Sequence, residues 1–369
     1  MLPVSTPFIA PKQKEYVNDC LDRNWISAFG KYDDLLCKGF ASFIGTKYAS
    51  TCTNGTAALH LALLAVGVTS EDEVILPNFH APYALFAVGY IAAKPVLVDV
   101  DKDWDVSISS LKKATTDKTK AIIIPHLFGV PSRLKPIKDY CKRNSIFIIE
   151  DCAEAHGSKE EDSYVGSLGD ISCFSFYANK IIAAGEGGVC LTSDEELLDK
   201  INYYKNQTFN LGLHKTFIHE HIGYNYRMSD LHCSIAYAHF EVIEEILIER
   251  EKILKQYILN LPQYFNCFQM KKNNVSTVNW VTTFRLPDDV AEKRDDLEVN
   301  LHENGIQSRR FFAPMCYQPI FKKMQGRVSE ELINSINISK KGIYLPTYVG
   351  IKENDIKHVC STINNFLRK

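Results

Sequence analysis

Between residues 73 and 151 the chain alternates short apolar runs of strand length with stretches of helical composition. The runs are EVILP, KPVLVDVD, KAIIIPH and IFIIED, and segments such as SRLKPIKDYCKRN separate them. Continuous apolar runs have no solvent-facing side, and helix-length connections between strands make crossovers. The pattern therefore predicts an α/β fold with a largely parallel sheet covered by helices on both faces. In such sheets ligands bind beyond the carboxyl ends of the strands, where Asn78, His126 and Asp151 fall.

The segment NGTAALHLALLA, Asn54 to Ala65, has helical composition directly after a small-residue turn. From about Ser229 to Lys255, SDLHCSIAYAHFEVIEEILIEREKILK reads as one long helix, apolar on one face, that forms a spine between domains. Beyond it, short strands such as VNWVTTFRL mix with charged helical segments. The expected division is a large domain with an N-terminal arm over 1–240 and a smaller α+β domain over 241–369.

Charge and cysteine usage remove several function classes. The 42 basic and 44 acidic residues leave a formal charge of -2, so no global basic field draws nucleic acid or a membrane surface. An anionic substrate must be met locally. The 11 cysteines form neither a CxxC pair nor a Cys/His ladder, which argues against a zinc site or a disulfide framework and for reduced thiols. MLPVSTPFIAPKQKEYV lacks a signal-peptide core, and no apolar run reaches the ~20 residues that span a bilayer. The expectation is a soluble, cytoplasmic protein.

Two short stretches carry the chemistry, CFSFYANKIIAAGEGG from Cys173 to Gly188 and IIEDCAEAHG from Ile148 to Gly157. Lys180 can hold an aldehyde cofactor as a Schiff base, and a partly dry site that lowers its pKa makes it nucleophilic. Asp151 supplies the counterpart for pyridoxal phosphate, a carboxylate that keeps a pyridine nitrogen protonated so the ring can accept electrons. TNGTAAL feeds a helix N-terminus, where Thr56 and Ala57 are candidate amide donors to phosphate; a capped helix without ligand fits the same residues. The Ser175 hydroxyl, five residues before Lys180, either reaches that phosphate or bonds its own backbone.

Other side chains stay open at this level. His156 either orients Asp151 or packs in the core. His219 and His221 have metal-ligand spacing without an acidic or thiol partner, which favours a solvated loop. Arg309 and Arg310 are candidates for binding substrate phosphates, or surface charges. No GxGxxG follows the first strand, which disfavours a dinucleotide oxidoreductase.

Taken together, WISAFGKY, CTNGTAALHLALLAVG, KPVLVDVD, KTKAIIIPHLFGV, IEDCAEAHGS, VGSLGDISCFSFYANKIIAAGEGG and IGYNYRMSD resemble the DegT/DnrJ/EryC1/StrS family of sugar-nucleotide aminotransferases, within fold type I of pyridoxal phosphate enzymes. The blocks follow the family's order over nearly the whole chain, and CAEAHG, FYANKII and YLPTYVGI run nearest to its perosamine-type branch. The resemblance implies a mostly parallel seven-stranded sheet and a smaller C-terminal α+β domain. It implies that Lys180 carries the cofactor and shuttles protons, that Asp151 pairs with the ring nitrogen, and that Thr56, Ala57 and Ser175 hold the phosphate. Asn225 would reach that phosphate from a neighbouring subunit, which makes the enzyme a homodimer with shared sites. Glu154 stands near the ring hydroxyl where many relatives have glutamine. LPNFHAPYAL departs from the family by placing Ala81 where an aromatic residue stacks on the ring, which leaves His80, Phe79 or Tyr83 as substitutes, with His80 and Tyr83 also candidate substrate contacts.

The implied activity is ping-pong transfer of an amino group from L-glutamate to a keto carbon of a GDP-, dTDP- or UDP-linked deoxysugar, C4 of a 4-keto-6-deoxyhexose above all, for polysaccharide biosynthesis. Pyridoxamine phosphate is the intermediate cofactor form. Two alternatives are a sugar dehydratase on the same scaffold, disfavoured because that branch replaces the lysine with histidine, and an inactive cofactor-binding regulator.

Overall fold

Seven strands of the main sheet run in one direction and the eighth, Gly188–Thr192, runs against them. A computed structural model describes residues 1–209, 217–261 and 273–368. The order across the sheet is Tyr48–Cys52, Gly188–Thr192, Ile171–Ser175, Phe147–Asp151, Thr119–Pro125, Glu73–Pro77, Lys94–Val98 and Arg327–Val328. The first seven match the sheet that the family resemblance implies. The additional strand is a two-residue piece, Arg327–Val328, that extends the edge in parallel with Lys94–Val98.

The strands alternate their side chains between two apolar layers. Ile75, Val96, Ile122, Ile148 and Phe174 enter one core, while Val74, Leu97, Ala121, Ile149 and Cys173 enter the other. Period-two alternation with both sides apolar is what a sheet buried on both faces requires. The helix Gly55–Ala65 is buried almost all round, which accounts for its near-continuous apolar composition.

The expected single helix over 229–255 is two helices, Asp230–Phe240 and Ile243–Asn260. The chain leaves helical geometry at Val242 (φ -116°, ψ 22°), whose side chain packs against the main core. Thr282–Arg285, Gly342–Leu345 and Arg309–Arg310 form a smaller antiparallel sheet, with its own core of Tyr257, Phe284, Leu301, Ile343 and Val359. The chain crosses residue 240 in both directions: Arg327–Val328 joins the main sheet, and Leu2 bridges to Ile306. Among the described residues no helix is long and apolar enough to cross a membrane.

Two buried carboxylates organise backbone that would otherwise be unpaired. Asp230 accepts from the Tyr32 and Asp33 N–H groups at 2.9 and 3.0 Å, capping the helix Lys31–Ile44. A Cβ at Gly30 would stand 2.2 Å from the Asp230 carboxyl, so the glycine of WISAFGKY is required for that approach. Glu150, inside the strand Phe147–Asp151, accepts from Gly166, Leu168 and Gly169 N–H and from His126 Nε2 at 3.0 Å. His126 Nδ1 accepts from Ser132 N–H, which fixes the ring with its hydrogen on Nε2. Cys152 stands beside this pair, a donor set with metal-ligand chemistry, but the Glu150 oxygens are already saturated by protein donors.

Asn78 and His126 therefore do not serve the crevice, although they follow strand ends. Asn78 is fully buried; its side chain donates to Ser335 Oγ and accepts from Cys316 N–H, joining a strand end to the C-terminal segment.

Burial pushes the Glu150 carboxyl up, but His126 and the three amides outweigh it and hold it below its ordinary 4.5. A depressed carboxyl stabilises the fold above the unfolded pKa, and that stability is lost as pH falls through the folded value. Glu150→Gln is expected to lower unfolding stability at pH 7 by about 3–5 kcal/mol, because one oxygen becomes an NH2 group and the pair of donors on it, His126 with Gly166 or Leu168 with Gly169, loses its acceptor. Urea midpoints at pH 7 and pH 4 check this: the gap between the two proteins should narrow at the lower pH.

Candidate active site

At the carboxyl edge of the sheet lies a cavity of about 570 Å³. The end of Tyr48–Cys52 leads to Asn54, Gly55, Thr56 and Ala57 on its wall; Phe147–Asp151 ends in Asp151, and Ile171–Ser175 in Ser175. Lys180 and Glu186 come from the loop between Ser175 and the reversed strand Gly188–Thr192, whose first residue is level with Cys52 and Ser175. Lys180, Asp151, Glu154, Ser175, Thr56 and Ala57, expected to meet, are all on this wall.

Lys180 Nζ lies 3.6 Å from Glu154 Oε1 and 3.9 Å from the centre of the Trp280 ring, with both charged side chains about one-tenth exposed. Burial pulls the ammonium below its ordinary pKa, against the opposing charges of Glu154 and Asp151. Burial likewise pushes the Glu154 carboxyl up to about 7, against Lys180 and the Phe128 N–H that donates to Glu154 Oε2 at 2.7 Å. Phe128 presents that N–H from a left-handed backbone (φ 55°, ψ 21°), unusual for a bulky side chain. Its ring is clamped between Phe311 (4.7 Å) and Phe312 (5.3 Å), which holds the strained turn in place.

Asp151 lines the cavity with its carboxylate held by two donors. Oδ2 is 3.0 Å from His80 Nε2, and Oδ1 accepts from Ala153 N–H at 3.1 Å. Burial raises this carboxyl, yet the His80 bond, the Ala153 amide and the Lys180 charge hold it below its ordinary value. His156 is not its partner. It is buried between Phe40, Phe174 and Phe176, and burial together with the Lys180 charge pushes it down to about 3.

The other end of the cavity is an anion cradle. A Cβ on Gly55 would approach Ser175 Cβ to 2.9 Å, so the helix N-terminus and the serine close on each other only because residue 55 is glycine. The Ala57 N–H, expected to face phosphate, donates instead to the Asn54 side chain at 2.8 Å, the capping bond of that helix. Thr56 remains on the wall beside it.

Several expectations are corrected. His80 is only 1% exposed and bonded to Asp151, so it neither stacks on a ring nor touches substrate. Phe79 packs into the core against Trp104, Phe128 and Phe311. Of the three proposed stand-ins for the ring-face aromatic, Tyr83 alone lines the cavity, joined by Phe86 and Tyr90 of the same helix. Arg310 is committed to Glu298 and Asp295 on the surface. Arg309 stands directly opposite Tyr344, a wall residue, on the same face of the small sheet, but is itself exposed and off the wall; Arg310 falls on the other face. Asn225 bridges to Asn206 and is not on the wall, whereas its neighbour Tyr226 is. His219 and His221 are exposed and turn to different partners, Thr208 and Tyr203.

Trp280, Phe312 and Tyr344 complete the wall, and nothing local in VNWVTT or RRFFAP marks them as site residues. Asn179 Oδ1, also at the wall, is buried without a hydrogen-bond partner. An orphaned acceptor, a glycine-dependent anion cradle and a half-dry lysine between carboxylates together fit an anionic aldehyde cofactor.

A carboxyl raised from 4.5 to about 7 binds a proton in the folded state that the unfolded chain releases. Its stabilising effect is therefore complete below pH 4.5 and lost as pH rises through 7, by up to ~3 kcal/mol. In cofactor-free protein, wild type should lose stability relative to Glu154→Gln between pH 5 and pH 8, measured as the shift in urea midpoints.

Comparison with known proteins agrees with this geometry. The sequence profile of the DegT/DnrJ/EryC1/StrS aminotransferase family matches residues 7–364. The chain is 37% identical over 368 residues to the protein named GDP-perosamine synthase in Escherichia coli O157:H7, covering 99% of this chain and 98% of that one. It is 34% identical to a protein of the same name in Vibrio cholerae, covering 99% of each. Among solved structures, Helicobacter pylori PseC, an aminotransferase involved in the biosynthesis of pseudoaminic acid, superposes with a TM-score of 0.92 at 19% identity, covering 100% of this chain and 99% of that one, a likeness of fold. The chain belongs to the DegT/DnrJ/EryC1/StrS aminotransferase family.

Proposed function

We propose that this chain is a pyridoxal phosphate-dependent aminotransferase that moves an amino group from L-glutamate to the C4 ketone of a nucleotide-linked 4-keto-6-deoxy sugar. The observation that carries the reading is the meeting of Lys180, Asp151 and the Gly55–Ser175 cradle in one cavity. Full-length likeness to proteins named GDP-perosamine synthase favours GDP as the nucleotide and amination over dehydration. Lysine at position 180 supports the same choice.

When bound, the cofactor supplies an aldehyde that exchanges amino groups and a pyridine ring that withdraws electrons from the substrate carbon. The chain's residues do the rest. Lys180 Nζ would hold the aldehyde, and the same nitrogen, when free, would move the proton at the substrate carbon. Its lowered pKa supplies the free base that this transfer needs. Glu154 at 3.6 Å takes or returns the lysine's proton, a role suited to a carboxyl near pH 7. Asp151 would hold the ring nitrogen protonated, and Ser175 with Gly55 and Thr56 would hold the phosphate.

Tyr83, Phe86 and Tyr344 would give the sugar and base apolar faces, and Arg309, exposed beside Tyr344 and outside the wall, would reach the diphosphate from the small sheet. We assign Asn225 to the phosphate of a second subunit, which makes the working unit a homodimer; its position off the wall of its own cavity supports that assignment.

Protein supplied with pyridoxal phosphate is expected to show the yellow band of a lysine-linked cofactor, and L-glutamate should convert it to the near-ultraviolet absorbance of pyridoxamine phosphate. Amine formation is then to be assayed with GDP-, dTDP- and UDP-linked 4-keto-6-deoxy sugars. Absence of a band in wild type sinks the reading. Lys180→Ala should lose the band and turnover while keeping the fold by circular dichroism. Asp151→Asn should keep colour but lose about 100-fold or more in both half-reactions, since electrostatic preorganisation of the ring is removed.

A further inference from the structure

Asp151 is held by two donors, the Ala153 amide on the cavity wall and, off the wall, a histidine with no other polar bond. His80 Nε2 stands 3.0 Å from Asp151 Oδ2, while Ala153 N–H serves Oδ1. A carboxylate offers only lone pairs, so the hydrogen of the His80 bond sits on Nε2. His80 is 1% exposed, and its Nδ1 is buried without a partner.

The backbone on either side of His80 is anchored. Asn78 is tied by Ser335 and Cys316, Phe79 is wedged among Trp104, Phe128 and Phe311, and Pro82 caps the helix Tyr83–Tyr90. The imidazole is thus presented to Asp151 by rigid neighbours rather than by a loop free to move.

We infer that His80 is a positioning residue: its Nε2–H pins Asp151 Oδ2 so that the free lone pairs of the carboxylate stay aimed into the cavity at the cofactor's ring nitrogen. The inference rests on the pyridoxal phosphate reading above. Without His80, the carboxylate keeps one orienting donor, the Ala153 amide, and can rotate away from the ring. The ring proton is then less firmly held, and the step that depends on electron withdrawal slows. The phosphate cradle at Gly55 and Ser175 is untouched, so kcat should fall far more than cofactor affinity.

The test uses holoenzyme loaded with pyridoxal phosphate labelled with nitrogen-15 in the ring, as wild type, His80→Ala and His80→Gln. The glutamine amide nitrogen reaches about as far as Nε2 and donates a neutral hydrogen bond. The wild-type ring nitrogen should resonate in the protonated range. In His80→Ala it should move toward the unprotonated range, with kcat of both half-reactions down about 10- to 100-fold, the scale at which loss of an orienting partner is felt. His80→Gln should recover most of both. In cofactor-free protein with nitrogen-15 histidine, the signal lost in His80→Gln should be that of a ring with its hydrogen on Nε2.

A loaded His80→Ala protein with the wild-type ring shift overturns the role of His80 alone. So does a cofactor-free His80 that carries its hydrogen on Nδ1. Wild-type protein that takes up no cofactor overturns the functional reading, and this role with it.

Discussion

Removal of water from around Lys180 is the constraint on which the rest of the site depends. An ammonium under an indole ring, with a carboxyl 3.6 Å away, is partly stripped of solvent and only partly compensated. Had Glu154 remained a full anion, the pair would settle as an ordinary salt bridge and the amine would be a poor base. The same burial raises the carboxyl while it lowers the ammonium, so each group holds its charge less firmly than in water. Asp151 escapes this levelling because His80 and Ala153 supply hydrogen bonds that the Glu154 side chain receives only from Phe128. Two acidic groups in one cavity thus keep different protonation states through different donors.

Glu150, one residue before Asp151, shows the same principle in a structural setting. Adjacent strand residues point to opposite faces, so one carboxylate enters the core behind the sheet while the next reaches the crevice at its end. Three amides and His126 surround Glu150, and they shape the turn around Gly166–Gly169. The sequence IFIIED contains both roles side by side with nothing to distinguish them except their place in the strand.

Much of the fold was legible because it is written in local periodicity. Strand-length apolar runs gave the parallel sheet, and the small-residue turn before Ala57 gave the helix N-terminus. Lys180, Asp151 and Ser175 were legible because strand ends and glycine turns place them within short motifs. The break at Val242 was not, since the amphipathic pattern continues across it and only packing against the core decides the dihedral. Nor was the pairing of His80 with Asp151, which joins positions 71 residues apart. Arg309 and Arg310 looked equivalent until the register opposite Tyr344 assigned them to different faces. Trp280, Phe312 and Tyr344 carry no signature beyond aromatic character in short strands and loops, so their presence at the wall is a property of the assembled chain.

That wall draws on residues from Asn54 to Tyr344, with contributions from both sheets. Its lysine end is shaped by Trp280, and its rim by Tyr344 on a strand that pairs only after nearly all of the chain is made. The cavity is thereby a joint product of both sheets, and a chain that stops short of Gly342–Leu345 is missing a piece of its wall.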